Sequence, residues 1–344
     1  MVESTPEQSN THSSPPAEAD LSPAPSPTAD SAVGSAGSES SYGASLLSEV
    51  KNYKYENGRR YHSYREGQYV LPNDEMEQDR EDLLHHIRSL LFQGRLYHAP
   101  LKKDISAAFD IGTGTGIWAM DFADEFPSTK VIGTDLSPIQ PVWIPPNIEF
   151  FVDDAESDWT FKKGSFDFVR ACDLGGAIAD WAKLLQQTYE HLKPGGWIEL
   201  LDFAMDLHSE NGSPEQQAPH AMEFFRHLKE ASSKFNRPMD VAGNHINRLK
   251  TAGFIDVEER IYRFPDNPWP TDPILREAGR YNQEATSMGL DSYGTALFSR
   301  VLGWNQAEIT VFLAAVRKEI QDVRFHLYVN AHVVWGRRPE ATGL

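Results

Sequence analysis

Cysteine is almost absent from this chain: Cys172 is the single cysteine in 344 residues. No intrachain disulfide can form, which fits a reducing compartment. Long apolar runs are absent as well. None approaches the roughly 20 residues that cross a bilayer, so no membrane span is expected. Positive charge is scarce, with Lys+Arg 32 against Asp+Glu 50 and a formal net charge of -18. That balance argues against phosphate-driven binding to DNA or RNA and against a polybasic membrane patch. The scarcity is greatest in residues 1–50, which are rich in Ser, Pro and Ala and contain no Lys or Arg. Such a stretch buries too little apolar surface to offset the entropy of ordering. It is predicted to be a disordered tail, either a phosphorylatable or partner-binding segment or a solvated leader. Neither the basic start and apolar core of a secretory signal nor the arginines of a mitochondrial presequence are expected there.

What is present reads as an α/β domain. A loop carrying Tyr61, Tyr64 and Tyr69 leads to a predicted helix that begins near Asn73 or Asp74 and ends by Gly94, with Leu83, Leu84, Ile87, Leu90 and Leu91 at helical spacing. Short apolar strands are then predicted at 106–112, 130–137, 147–155, 166–173 and 197–205. Helices at 116–126 and 178–193 separate them, the second stopping at Pro194 and Gly195. Alternation of this kind implies a doubly wound, mainly parallel sheet with its ligand site at the carboxyl ends of the strands. Beyond 204, helices are predicted at 217–235, 241–252, 274–289 and 306–324, the last with Asn305 and Glu308 at capping-box spacing. Strands at 255–264 and 326–339 close the chain.

The stretch "FDIGTGTG" ends the first of those strands and opens a helix, so glycines let backbone amides approach a ligand. The dinucleotide pattern is G-x-G-x-x-G, whereas Gly112, Gly114 and Gly116 follow G-x-G-x-G and Ile117 stands at the third glycine. Asp110 would sit badly beside a pyrophosphate yet could attract a cationic amino group directly or through water. S-adenosylmethionine carries an ammonium and no phosphate. Asp135, ending the next strand, can accept from both ribose hydroxyls; Asp154 and the Ala155 backbone suit an adenine amino edge, with Phe151 or Trp159 as apolar cover.

From "NGRRYHSYREGQYVLPNDEMEQDR" through the glycine turn to "LKPGGWIEL", "NPWPTDP" and "RVLGWNQAEITVFLAAVRKEI", the chain resembles the fungal LaeA-like (TAM-domain) family of class I S-adenosylmethionine-dependent methyltransferases. The likeness spans residues 57–339. It implies a Rossmann-like seven-stranded sheet whose last strand is antiparallel. It assigns Asp110, Gly112, Gly114 and Gly116 to the methionine end of the cofactor, Asp135 to its ribose and Asp154 to its adenine; Thr113, Leu136, Ala155 and Arg170 are expected at the same site. The family holds regulators of secondary metabolism, associated with nuclear velvet-type complexes, and enzymes that methylate small natural products. The "GTGTGIW" stretch departs from the regulators' more usual Gly-Cys-Gly start, and no basic nuclear-import cluster is present. The expectation is therefore a cytoplasmic methyltransferase with a small-molecule acceptor; the alternative is a nuclear regulator working through protein partners.

Methyl transfer from a sulfonium needs proximity, alignment and a dry site more than any one catalytic group. Arg170 and Asp173 follow the fourth strand and are the catalytic candidates, Arg170 to hold an acidic acceptor and Asp173 to orient or deprotonate one. Cys172 reads as a packing residue. Tyr61, Tyr64 and Tyr69 are expected in a lid, and Trp269, Tyr281 and Phe298 in the apolar wall of the acceptor pocket. His85 and His86 point about 100° apart on a helix, and His208, His220, His227, His245, His326 and His332 show no convergent spacing, so no metal is expected. The predicted layout is a tail at 1–50 and a methyltransferase domain at 51–344, divided into an N-terminal lid and helix (51–104), a cofactor-binding core (105–204) and pocket helices with closing strands (205–344).

Overall fold

The computed structural model describes residues 53–65, 67 and 69–341. The predicted tail lies outside them. Where a plain loop is expected after residue 53, the chain forms an antiparallel hairpin, β1 (Lys54–Glu56) and β2 (Arg59–Tyr61). Its turn is Asn57-Gly58, with φ of 51° and 78°. Those values suit the two-residue turn whose twist matches that of the paired strands. The hairpin is tied to helix α1 (Glu75–Leu91) through Asp74: Arg59 donates to its carboxylate at 2.6 and 2.9 Å, and Asp74 caps α1 by accepting from the Glu77 amide.

The sheet follows. β3 (Ala107–Ile111), helix α2 (Ile117–Glu125), β4 (Lys130–Asp135), β5 (Ile148–Val152), β6 (Phe166–Cys172), helix α3 (Trp181–His191) and β7 (Leu192–Ser209) alternate as predicted. Helices α4 (Pro214–Gln217), α5 (Pro219–Lys234) and α6 (His245–Thr251) lead to β8 (Ile255–Pro265), α7 (Pro273–Arg300), α8 (Gln306–Ile320) and β9 (Leu327–Arg337). The seven strands lie in the order β5-β4-β3-β6-β7-β9-β8. β9, the last in the chain, runs antiparallel between β7 and β8, and the pairings from β5 to β7 are all parallel. This is the doubly wound, Rossmann-like sheet the sequence implies. The capping box at α8 is present in full. No helix among the described residues is long and apolar enough to cross a membrane.

Two elements differ from expectation for local reasons. α3 stops at His191 rather than at Pro194, and Leu192 already pairs with Phe166. A proline drives the residue before it toward extended backbone, so the break reaches upstream of the proline itself. α7 runs to Arg300, well past the predicted 289, although Gly289 and Gly294 lie inside it. These glycines permit close packing: a Cβ at Gly294 would come within 3.2 Å of the Leu313 side chain on α8.

Apolar side chains cover both faces of the sheet. On one face Phe122 is wholly buried and meets the rings of Trp118, Phe126 and Phe168 at centroid separations of 4.8, 4.7 and 5.7 Å. Phe122→Ala should destabilise the domain by about 3–5 kcal/mol, read by urea denaturation. A loss under ~1 kcal/mol would show that this cluster does not anchor α2.

Candidate active site

The turn between β3 and α2 is held open by three glycines with φ of 66° (Gly112), 56° (Gly114) and 81° (Gly116). Close neighbours reinforce the choice. A Cβ would stand 2.5 Å from Leu174 Cδ2 at Gly112, 2.5 Å from Glu81 Oε2 at Gly114 and 2.6 Å from Phe150 Cζ at Gly116. The turn is fastened to β4, since the Thr113 amide donates to the Thr134 carbonyl (2.9 Å) and the Gly114 amide to Asp135 Oδ2 (3.0 Å). Asp135 Oδ1 accepts from the Ser137 amide. Burial pushes the Asp135 carboxyl up to about 6, against those two amides, which favour its charge.

Gly112, Thr113 and Gly114 of the turn line one cleft at the carboxyl ends of the strands with Asp135, Leu136, Asp154, Ala155, Arg170 and Asp173, whereas Gly116 lies behind the turn against Phe150. Asp110 does not line it. Its Oδ1 accepts from Arg170 (2.9 Å), its Oδ2 accepts from Thr113 Oγ1 (2.8 Å), and it is 1% exposed. Direct contact of an ammonium with Asp110 does not fit this placement: Asp110 props the turn from beneath and neutralises Arg170. The carboxylate facing the turn is Glu81 of α1, which sequence reading missed. Burial, and after it the nearby Glu77 carboxylate, push Glu81 up to about 8. Protein packs closely round it although the open cleft leaves part of its surface accessible.

The cations at this cleft are already committed. Arg80 pairs with Glu77, Arg88 with Asp173, and Arg170 with Asp110. What faces the ligand space is acceptor-rich: Glu81, Asp135 and Asp154. Such a set of acceptors fits a cation bearing ribose hydroxyls and repels a pyrophosphate. The structure therefore fits S-adenosylmethionine. Apolar cover comes from Leu136 and Ile178. Phe151 and Trp159 lie elsewhere, the latter packed edge-on against Phe109 with its indole N–H on the Ala155 carbonyl.

Asp173 sits at the cleft with φ of 55°, held by Arg88. Cys172 is buried, and burial pushes its thiol up to about 12, which suits packing and no nucleophilic role. Of the lid candidates, Tyr69 lines the cleft. Tyr61 is buried under the Arg300 guanidinium at 4.9 Å, and Tyr64 stays outside beside Arg65. The segment nonetheless reaches the rim: Arg65 pairs with Asp154 at 3.3 Å, and the Asn73 amide donates to Ser137 Oγ at 3.0 Å. Trp269 is stacked on His326 and donates to the Leu327 carbonyl; Tyr281 packs against His86; Phe298 is buried among Phe224, Trp304 and Phe312. None of the three lines the cleft or the apolar cavity bounded by Phe224, Leu290 and Tyr293; each closes a helix or connector onto the body.

Arg80 and Tyr293 line both this cleft and a second, mostly apolar cavity enclosed by the carboxyl end of β7, α5 and α7. Asp266, directly after β8, is 3% exposed there, and its Oδ2 has no hydrogen-bond partner among the described residues. Burial pushes its carboxyl up to about 7. The folded state therefore holds this proton more tightly than the unfolded state does, and stability is lost as pH rises from near 4 through 7. In Asp266→Asn that loss should vanish, so the variant's Tm should exceed the wild type's increasingly between pH 5 and pH 8. An excess independent of pH would refute this. No group of His, Cys, Asp and Glu fit to hold a metal occurs among the described residues.

The profile of the "Methyltransferase domain" family matches residues 83–254. The chain is 39% identical to "Methyltransferase pytC" of Aspergillus terreus over 86% of this chain and 91% of that one. It is 36% identical to "Secondary metabolism regulator LAE1" of Cochliobolus heterostrophus over 87% and 99%. Among solved structures, Haemonchus contortus phosphoethanolamine N-methyltransferase 2 with S-adenosyl-L-methionine is 17% identical, covering 88% of this chain and 74% of that one with a TM-score of 0.48. That likeness is too distant to transfer an acceptor.

Proposed function

Because the chain belongs to the LaeA-like family of class I S-adenosylmethionine-dependent methyltransferases, we propose that it methylates a small-molecule natural product in the cytoplasm. The carrying observation is the Glu81 carboxyl, which has no ion-pair or side-chain hydrogen-bond partner among the described residues, set over a glycine turn whose neighbours Arg80, Arg88 and Arg170 are neutralised. In this reading Glu81 takes the amino end of the cofactor. Asp135 takes the ribose hydroxyls, Asp154 and the Ala155 backbone take the adenine edge, and Gly112, Thr113, Gly114 and Gly116 give the backbone its close approach. Bound S-adenosylmethionine supplies a methyl group on a sulfonium, so the leaving group needs no protonation. The protein's own part is to align the acceptor and exclude water. Asp173, fixed by Arg88, orients the acceptor's nucleophile or receives its proton. Tyr69 and Asn73 hold the N-terminal segment across the cleft as a lid, and residues 205–344 supply the acceptor wall.

The regulator reading is favoured by the 36% identity to LAE1. A deletion strain of the producing organism, complemented with Asp135→Ala, separates the two. The enzyme reading expects one compound to accumulate unmethylated and other secondary metabolites to stay at wild-type levels. Loss of many unrelated metabolites would overturn it in favour of regulation.

A further inference from the structure

We propose that the apolar cavity behind Tyr293 is the acceptor pocket, built for a small, mainly apolar molecule that presents one hydrogen-bond donor to Asp266. This rests on the reading of the protein as a small-molecule methyltransferase and locates the acceptor of that reaction.

Position is the first argument. The cavity lies at the carboxyl ends of β7, through Phe203 and Met205, and of β8, through Asp266. The cofactor cleft opens on the same edge of the sheet, and Arg80 and Tyr293 form a wall common to both. In open α/β sheets that edge is where ligands meet. Chemistry is the second. Phe224, Leu228 and Leu290 make the lining apolar, which excludes a sugar, a nucleotide or a polyanion.

Asp266 is the exception, and its neighbours leave it unmet. The Asn282 amide donates to the Pro265 carbonyl, and Arg80 is committed to Glu77 through Nε and Nη2. A buried carboxyl without a donor is a standing cost to the fold. A hydroxyl, amine or amide N–H brought by a ligand removes it. Asp266 is thus a positioning residue that fixes which end of the acceptor enters first.

The test uses the full chain saturated with S-adenosylhomocysteine and two probes of like shape, 2-naphthol and 2-methylnaphthalene, followed by fluorescence titration. The wild type should bind 2-naphthol at least ~10-fold more tightly than 2-methylnaphthalene, the worth of one hydrogen bond to a buried carboxyl. Asp266→Leu should bring the two affinities together. Thr286→Phe, which fills the cavity from α7, should weaken both at least ~10-fold and leave S-adenosylmethionine affinity within about twofold. Equal affinities in the wild type, or unaltered binding in Thr286→Phe, would overturn the inference. Should Asp266→Leu fail to fold, the wild-type comparison and Thr286→Phe still decide. Methyl label supplied on S-adenosylmethionine to an extract of the deletion strain separates the two levels of the argument. No label in small molecules with the wild type sinks the small-molecule reading; label at the wild-type rate with Thr286→Phe sinks the pocket alone.

Discussion

Gly114→Val is expected to raise the dissociation constant for S-adenosylmethionine more than ~100-fold while leaving a folded protein. Two effects combine. Backbone with φ of 56° is costly for a β-branched residue, and the new Cβ would stand 2.5 Å from Glu81 Oε2. The obstructing atom is the end of a flexible side chain, so the fold relieves the clash by swinging Glu81 aside. Relief therefore displaces the carboxylate that faces the cofactor space and disturbs the Gly114 amide that ties the turn to Asp135. Calorimetric titration beside a thermal melt checks both halves. Retained affinity in a folded variant would show that the turn is not the binding surface.

Glu81→Gln should weaken S-adenosylmethionine binding roughly 10- to 100-fold, the worth of a hydrogen bond to a charged group. It should also remove a pH dependence. With its carboxyl pushed up to about 8 by burial, helped by Glu77, Asp135 and Asp173 and opposed by Arg80, Glu81 is protonated in the free protein at pH 6. Capture of an ammonium requires the ionised form, so binding expels a proton and affinity rises with pH. Wild-type affinity should climb between pH 6 and pH 7.5, and that of the glutamine variant should stay flat by comparison. Parallel curves for the two proteins would assign the amino end to another group.

The sheet and the glycine turn were legible because both are local: strand and helix periodicities and a G-x-G-x-G between them need no tertiary information. The resemblance supplied the antiparallel last strand. The burial of Asp110 was not legible, for a tertiary reason. Its partner Arg170 stands 60 positions away on the neighbouring strand, and no spacing rule joins them. Glu81 was missed although a signal existed. Glu77, Arg80 and Arg88 interrupt the buried face of α1, so that face had to meet something polar. The Asn57-Gly58 hairpin was also readable, as a two-residue turn of the preferred type. Tyr293 and Asp266 were not. They reach one cavity only because α7 continues past its glycines and β8 ends on the same edge of the sheet as β7, with β9 between them, facts set by packing.

The central claim is that this cleft delivers a methyl group to a small molecule. Its most direct measurement is the partition of label after the purified full chain is incubated with methyl-labelled S-adenosylmethionine and an extract of the deletion strain. Label in an organic-soluble compound, lost with Gly114→Val, is the predicted result. Label confined to polypeptide, or none transferred by a wild-type protein that binds the cofactor, would contradict it.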